Sequence, residues 1–118
     1  MDVARYTKRV RLLKAAQFDA AFKQGKRINT GVFAAVIASN ELGFARLGFA
    51  LSKKHAAHAV DRNRARRLLR ERFRLQQAVL APVDLVLMLR SRLPTDATAL
   101  KTEVEAIWKQ VLARCKTQ

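Results

Sequence analysis

Residues 48–54 read GFALSKK, and residues 60–71 read VDRNRARRLLRE. The first segment alternates large apolar with small residues, which is typical of a β-strand, and it ends in two lysines. The second lies within residues 56–77, which contain no Gly or Pro and are rich in Leu, Arg, Ala, Glu and Gln. Such a composition favours a helix, here about 30 Å long. We therefore predict a strand that delivers Lys53 and Lys54 to its end, followed by the longest helix of the chain.

This long helix is predicted to have a basic face and an apolar face. At about 100° per residue, four arginines four residues apart fall within an arc of roughly 120°. The basic face, with two residues at or just beyond its edge, comprises Arg62, Asn63, Arg66, Arg67, Arg70 and Arg74. Ala65, Leu68 and Leu69 are expected to lie largely opposite and to face the core.

The strand before the helix also has two distinct faces. Leu47, Phe49 and Leu51 point to one side, which we assign to the core. The other side carries Gly48 and Ala50, so we expect that small side chains there let a ligand approach.

The remaining chain is predicted to form two more helices and two more strands. Residues 15–24 are rich in alanine and are followed by Gly25, and residues 97–114 have apolar residues at helical spacing, so both segments are predicted as helices. Residues 33–39 are predicted as a strand that is joined by a turn to the strand already described, which spans residues 45–52. The apolar run 85–89 is typical of a strand buried on both sides. We predict the α+β class: one α-β sandwich domain over residues 1–118, in the order αβββαβα around a small sheet, with residues 1–10 as a flexible basic arm.

Charge and composition restrict the function. The chain has 118 residues, 24 Lys and Arg against 9 Asp and Glu, and 50% hydrophobic residues, which exclude a disordered basic tail. The cations cluster: residues 5–27 hold eight cations and one acid, and residues 53–74 hold nine cations and two acids. Since solvation alone would spread cations evenly, the two clusters indicate a binding surface for a polyanion such as RNA.

Several other functions find no support in the sequence. No apolar run is long enough to span a membrane, and we expect a cytoplasmic protein. Cys115 alone can form neither an internal disulfide nor a zinc site, and we expect it to be partly buried. His55 and His58 lack a third nearby His or Cys, so a surface or phosphate-contacting role is favoured over a metal site. No nucleophile motif is present, and no pair of acidic residues combines with a histidine at ligand spacing, so we predict no protein-based catalytic residues and no metal bound by the protein.

The order of these motifs resembles the bacterial ribonuclease P protein family. Its signature is a strand ending in Ser-Lys-Lys, a short spacer and A-V-x-R-N-R-x-x-R-L-x-R-E on a helix; here residues 52–54 read SKK and residues 59–71 read AVDRNRARRLLRE. The resemblance covers nearly the whole chain, through Arg11-Leu12, Phe18, Phe22 and Gly25 upstream and Asp84-Leu85-Val86 and Arg90 downstream. It departs at Val36, Ala57 and Ala65, where family members often have an aromatic residue, glycine and isoleucine. None of these departures removes a cation.

The resemblance implies a fold detail and a function. The family fold has a left-handed crossover around the long helix, and its protein is a cofactor to a catalytic RNA. The complex removes the 5′ leader of precursor tRNA by hydrolysis, with Mg²⁺ held mainly by the RNA. The implied partners are therefore ribonuclease P RNA and precursor tRNA, with one protein per RNA and no membrane.

The resemblance also assigns two groups of site residues. The RNA subunit would be contacted by Lys53, Lys54, Arg62, Asn63, Arg64, Arg66, Arg67 and Arg70. The single-stranded leader would lie in a cleft formed by Phe18, Phe22, Val36 and Arg90. Stacking of the two phenylalanines on leader bases and simple packing of the first helix on the sheet both remain open.

Two other functions are compatible with the size and charge. A structural RNA-binding protein, such as a ribosomal component, would sediment with ribosomes and have no effect on tRNA processing. An autonomous nuclease would cleave RNA without an RNA subunit. Neither explains the order of motifs along the chain.

Overall fold

The computed structural model of the protein describes residues 10–115, so the basic arm expected over residues 1–10 lies almost wholly outside the described part. The order is α1 (Ala15–Gln24), β1 (Lys26–Asn29), β2 (Phe33–Ser39), β3 (Arg46–Ala50), α2 (Ala59–Gln76), a 3-10 turn (Gln77–Val79), β4 (Val83–Leu89) and α3 (Ala97–Cys115). This αβββαβα order of an α+β domain confirms the predicted fold class. Among residues 10–115, no helix is long and apolar enough to cross a bilayer.

The strands form one sheet in the order β1-β2-β4-β3. β2 pairs antiparallel with both β1 and β4, whereas β3 pairs parallel with β4. The two strands predicted around a turn, β2 and β3, are therefore not neighbours, because β4 lies between them. Parallel strands cannot be joined by a tight turn, so α2 makes the connection from β3 to β4.

Helices cover both faces of the sheet. The larger core lies between the sheet and the pair α2 and α3, and its fully buried side chains include Phe33, Leu47, Leu69, Phe73, Leu85, Leu87, Ile107 and Val111. A smaller cluster lies under α1 and consists of Leu12, Ala21, Val36, Ala38 and Val86. Because β4 contributes to both clusters, its continuous apolar sequence is explained, and the prediction of a strand buried on both sides is confirmed.

Cys115 lies at the end of α3 with its side chain inside the larger core. It is more buried than the partly buried position that the sequence indicated. Burial raises the pKa of its thiol to about 11 because the thiolate would lose its hydration.

Gly25, the residue after the last turn of helix α1, has no space for a side chain. A Cβ atom there would overlap Cγ1 of Val36 and lie 2.5 Å from the carbonyl oxygen of Ala21. The backbone of Gly25 is extended, with φ −81°, so the glycine serves close approach rather than a left-handed turn. Its N–H donates to the Ala21 carbonyl at 2.7 Å, which closes the helix.

The chain before α1 runs beside β3. Arg11 pairs with Leu47 in parallel, and the N–H of Leu12 donates to the Leu47 carbonyl at 2.9 Å. This segment satisfies part of the outer edge of β3, which would otherwise expose unpaired backbone groups.

A buried ion pair joins the two parallel strands. Arg46 of β3 donates from Nε and Nη2 to the two carboxylate oxygens of Asp84 in β4, each at 2.8 Å. Asn40 donates to the same carboxylate at 2.9 Å. Asp84 is only 7% exposed, and hydrogen bonding to it raises the pKa of the Arg46 guanidinium above its usual value. The ion pair therefore fixes the register of β3 against β4 at the end where both strands begin.

We expect Asp84→Ala to lower the free energy of unfolding by about 3 kcal/mol, because the largely buried guanidinium of Arg46 would lose its anion. Urea denaturation monitored by circular dichroism measures this change. The double variant Arg46→Met, Asp84→Leu removes both charges and is expected to lose less than the single variant. An Asp84→Ala protein as stable as the parent would contradict the role assigned to the pair.

Candidate nucleic-acid interface

Helix α2 is held by one apolar stripe. Ala65, Leu69 and Phe73, spaced four residues apart, are fully buried against the sheet and α3. The opposite side of the helix is exposed and carries Asn63, Arg64, Arg67 and Arg70, together with Val60 and Glu71. The sequence therefore identified the basic helix correctly.

The orientation predicted for Arg62 is wrong. Arg62 precedes Ala65 by three residues, which places the two about 60° apart on the helix, near the buried stripe rather than opposite it. Its side chain is half-buried, and Nη1 donates to the carbonyls of Ala56 at 2.7 Å and Ala57 at 3.0 Å. Arg62 thus holds the loop before α2 against the first turn of the helix.

Two other cations of α2 are positioned by hydrogen bonds. Nη1 of Arg66 donates to Oδ1 of Asn63 at 2.8 Å, so these neighbouring side chains lie together on the helix. Nη1 of Arg64 donates to the carbonyl of Thr95 at 3.3 Å and thereby reaches the loop that leads into α3. Arg67 is exposed, and no partner is found for it among residues 10–115.

Acidic partners reduce the positive charge at the far end of α2. Arg72 forms an ion pair with Glu105 of α3, and Nε of Arg74 donates to Glu71 at 3.1 Å. Hydrogen bonding to Arg74 lowers the pKa of the Glu71 carboxyl, and the same bond raises the pKa of Arg74. Among residues 10–115, Arg62, Arg64, Arg66 and Arg67 form no ion pair with an acid, so the cations without such compensation include all those in the first half of the helix.

Lys53 and Lys54 extend this basic surface beyond the helix. Both are exposed in the turn that follows β3, immediately before the loop that Arg62 holds. Because α2 begins only at Ala59, three residues later than predicted, residues 56–58 belong to this loop. The turn that carries Lys53 and Lys54 thus adjoins the loop at the start of α2.

A second region lies on the α1 side of the sheet. Phe18 is half-buried, and its ring lies over Gly48, where a Cβ atom would be 2.8 Å from Cζ of Phe18 and 2.7 Å from Cβ of Leu12. The expectation that a ligand approaches this part of β3 is wrong, since the protein's own side chains fill the space. Ala50, two residues further along the same face, is exposed.

The four predicted cleft residues differ in accessibility. Phe22 is 45% exposed, and its ring centroid lies 6.5 Å from that of Phe18 at an interplanar angle of 38°. Val36 is only 6% exposed and packs beneath α1, so its side chain does not line an open surface. Arg90 is exposed, and its Nη1 donates to the Thr30 carbonyl at 2.6 Å.

The structure adds Asn29, Ala34 and Met88 to this region, none of which the sequence singled out. Asn29, Ala34, Met88 and Ala50 are successive cross-strand neighbours, on the same sheet face as Val36 and Gly48. Asn29 and Ala50, at the two ends of this row, are exposed. Only the strand order reveals this row, because Met88 of β4 pairs with Ala34 of β2 on one side and with Ala50 of β3 on the other.

The chain is similar to ribonuclease P proteins both in sequence and in structure. Residues 6–112 match the family model described as Ribonuclease P. The ribonuclease P protein component of Legionella pneumophila (strain Corby) is 42% identical over 111 residues, covering 93% of this chain and 95% of that protein. That of Thioalkalivibrio sulfidiphilus is 35% identical, covering 93% of this chain and 92% of that protein.

Solved structures agree with these sequence matches. The Staphylococcus aureus RNase P protein has a TM-score of 0.77 and 26% identity, covering 92% of this chain and 98% of that one. The Thermotoga maritima RNase P protein has a TM-score of 0.74 and 26% identity, covering 91% and 98% of the two chains.

The fold and the arginine-rich helix define a basic α+β protein with a surface suited to a polyanion. The chain belongs to the ribonuclease P protein family. It is thus a tRNA-processing subunit, and the complex of which such proteins are part is the endoribonuclease ribonuclease P.

We expect Gly48→Val to destabilise the protein by about 1–3 kcal/mol, because Leu12 and Phe18 must move to admit the side chain. Thermal and urea unfolding measure the loss. Ala50→Val, at an exposed position of the same strand, is the matched control and is expected to change stability by less than about 0.5 kcal/mol. Equal stability of the two variants would contradict the close packing of Phe18 on Gly48.

Proposed function

We propose that the protein binds the RNA subunit of ribonuclease P through the turn after β3 and the exposed side of α2. The contacting residues are Lys53, Lys54, Asn63, Arg64, Arg66, Arg67 and Arg70. The observation that carries this proposal is that Arg72 and Arg74 near the end of α2 are ion-paired with glutamates, whereas Arg64, Arg66 and Arg67 form no ion pair in the described part of the chain. A helix face of arginines offers planar donors that suit bidentate contacts to phosphates and base edges.

Arg62 has a different part in this proposal. Its guanidinium donates to two carbonyls of the loop at 56–57, so it shapes the surface beside Lys53 and Lys54. We therefore treat Arg62 as a positioning residue for the RNA-binding surface rather than as a phosphate contact.

For the α1 side, we propose that the 5′ leader of precursor tRNA is bound beside α1. Phe22 is the exposed aromatic ring there, and Phe18 supports it. Asn29 of β1 and Arg90, which follows β4, are exposed polar side chains of this region. Val36 contributes by supporting α1 from below. Stacking on an aromatic ring accepts every base, which suits leaders of varied sequence.

Together these surfaces would lower the repulsion between two RNAs. In this proposal one protein binds one catalytic RNA, in the cytoplasm, and the RNA carries out the hydrolysis and holds the Mg²⁺. The protein supplies cations that neutralise phosphates of both RNAs, which would reduce the Mg²⁺ concentration needed for cleavage.

The function is tested by cleavage of a 5′-extended precursor tRNA at low Mg²⁺. The reaction is run with the protein alone, with a bacterial ribonuclease P RNA alone and with both. We expect cleavage only in the mixture. Cleavage by the protein alone would indicate a nuclease, and no cleavage in any reaction would favour a structural RNA-binding protein.

We expect Arg67→Ala to weaken binding to ribonuclease P RNA and to reduce the slope of log K against log salt by about 0.7–0.9. The reason is that one exposed cation, and hence one phosphate contact, is lost. Fluorescence titration at several salt concentrations measures both quantities. Arg114→Ala removes an exposed cation from the end of α3 and is the matched control. Equal losses in the two variants would argue against a localised interface.

We expect Phe22→Ala to weaken binding of leader-bearing precursor tRNA by about 1–3 kcal/mol, with little effect on tRNA that lacks a leader. Titrations of the assembled complex with both RNAs measure the difference. Leu42→Ala is the control, because Leu42 is 47% exposed and the substitution removes an apolar side chain that is about as accessible as Phe22. The same loss for both RNAs would assign Phe22 to packing alone.

A further inference from the structure

A cavity of about 340 Å³ lies where α2 begins. It is formed by the turn and loop after β3 on one side and by the loop before α3 on the other. Its charged and titratable lining consists of Lys54, His55, His58, Asp61 and Arg92. Of these five residues, only Lys54 belongs to the RNA-binding surface described above.

Hydrogen bonds between the two loops hold the cavity open in a defined shape. The N–H of Leu93 donates to the His55 carbonyl at 2.9 Å, which ties one wall to the other. Arg62 holds the carbonyls of Ala56 and Ala57, and Arg64 reaches the Thr95 carbonyl. The walls are thus fixed by the protein itself, so a ligand would not have to order them.

The lining side chains are not used by the fold. Among residues 10–115, the side chains of Lys54, His55, His58 and Arg92 have no hydrogen-bond or ion-pair partner, and neither does Asp61. Lys54 and Arg92 contribute cationic side chains, the histidines add ring N–H donors, and Asp61 is the one acid. Helix α2 contributes Asp61, in its first turn, to the lining.

We infer that this cavity is a subsite for a single phosphate group, presented by the backbone of an RNA. Donor side chains line it from both loops, Lys54, His55 and His58 on one side and Arg92 on the other, whereas Asp61 of α2 is a single opposing charge. The cavity is larger than one phosphate and leaves room for the adjoining ribose. This inference rests on the proposed function. It extends the RNA-binding surface from Lys54 across the cavity to the two histidines and Arg92.

The first experiment uses the full chain without RNA. ¹H–¹⁵N spectra are recorded while inorganic phosphate is added at constant ionic strength. We expect the amide signals of residues 54–61 and 92–95 to shift in a saturable manner. Arg92→Ala should abolish these shifts, and Arg114→Ala, which removes the same charge elsewhere, should keep them. Since Arg92 lies exposed in a loop and holds no other residue, its replacement leaves the fold intact.

The second experiment measures binding to ribonuclease P RNA as a function of salt. Arg92→Ala and His58→Ala should weaken binding, and Arg92→Ala should reduce the salt slope by about 0.7–0.9, whereas Arg114→Ala should not. Absence of phosphate shifts, together with an Arg92→Ala protein that binds RNA as Arg114→Ala does, would overturn the inference and leave the proposed function standing. Failure of the parent protein to bind the RNA would instead remove the proposed function, while the phosphate titration would still report on the cavity.

Two further outcomes identify a different ligand. Phosphate shifts without any effect of Arg92→Ala on RNA binding would overturn the assignment to an RNA backbone and indicate a free phosphate or nucleotide. Signals that respond to Zn²⁺ but not to phosphate would overturn the anion subsite in favour of a metal bound by His55, His58 and Asp61. In the described part of the chain, no group of three His, Cys, Asp or Glu side chains is placed to hold one ion.

Discussion

The parallel pairing of β3 with β4 is the constraint on which the functional surface depends. Two parallel neighbours must be joined by a long crossover, and here that crossover contains the most basic segment of the chain. The crossover leaves β3 through Lys53 and Lys54 and enters α2 after a short loop, so the two lysines lie next to the start of the basic helix. The ion pair of Arg46 with Asp84 fixes this pairing at the opposite end of the strands.

Acidic residues then determine which part of α2 remains available to a polyanion. The first residues of the helix combine exposed arginines with hydrogen bonds that fix their loops, whereas Arg72 and Arg74 near its end are held by glutamates. The positive charge that is not compensated by ion pairs is therefore unevenly distributed along the helix. The same hydrogen bonds that order the loops around its first turn also shape the adjoining cavity.

Close packing determines the second surface in a similar way. Gly25 and Gly48 let α1 and the chain before it lie directly on the sheet, which buries Val36 and fixes Phe18 over β3. Phe22, one helical turn after Phe18, is left exposed. The close packing at the glycines thus makes Phe18 a packed ring and leaves Phe22 accessible. The sequence alone does not distinguish the two, because they lie four residues apart on the same face of the helix.

The sequence by itself determined most of the local elements, because their periodicity and breakers are encoded in neighbouring residues, but no residues were assigned to the short strand β1. Helix α1 and strand β2 have the predicted bounds, α3 and β4 differ only at one end, and the family was identified from the order of motifs. Tertiary structure decided what depends on contacts between distant segments: β4 between β2 and β3, Arg62 turned toward its loop, and Phe18 over Gly48. It also brought together Lys54 and Arg92, which are far apart in sequence. Such placements follow from sheet order and packing, which the spacing of residues along one segment does not encode.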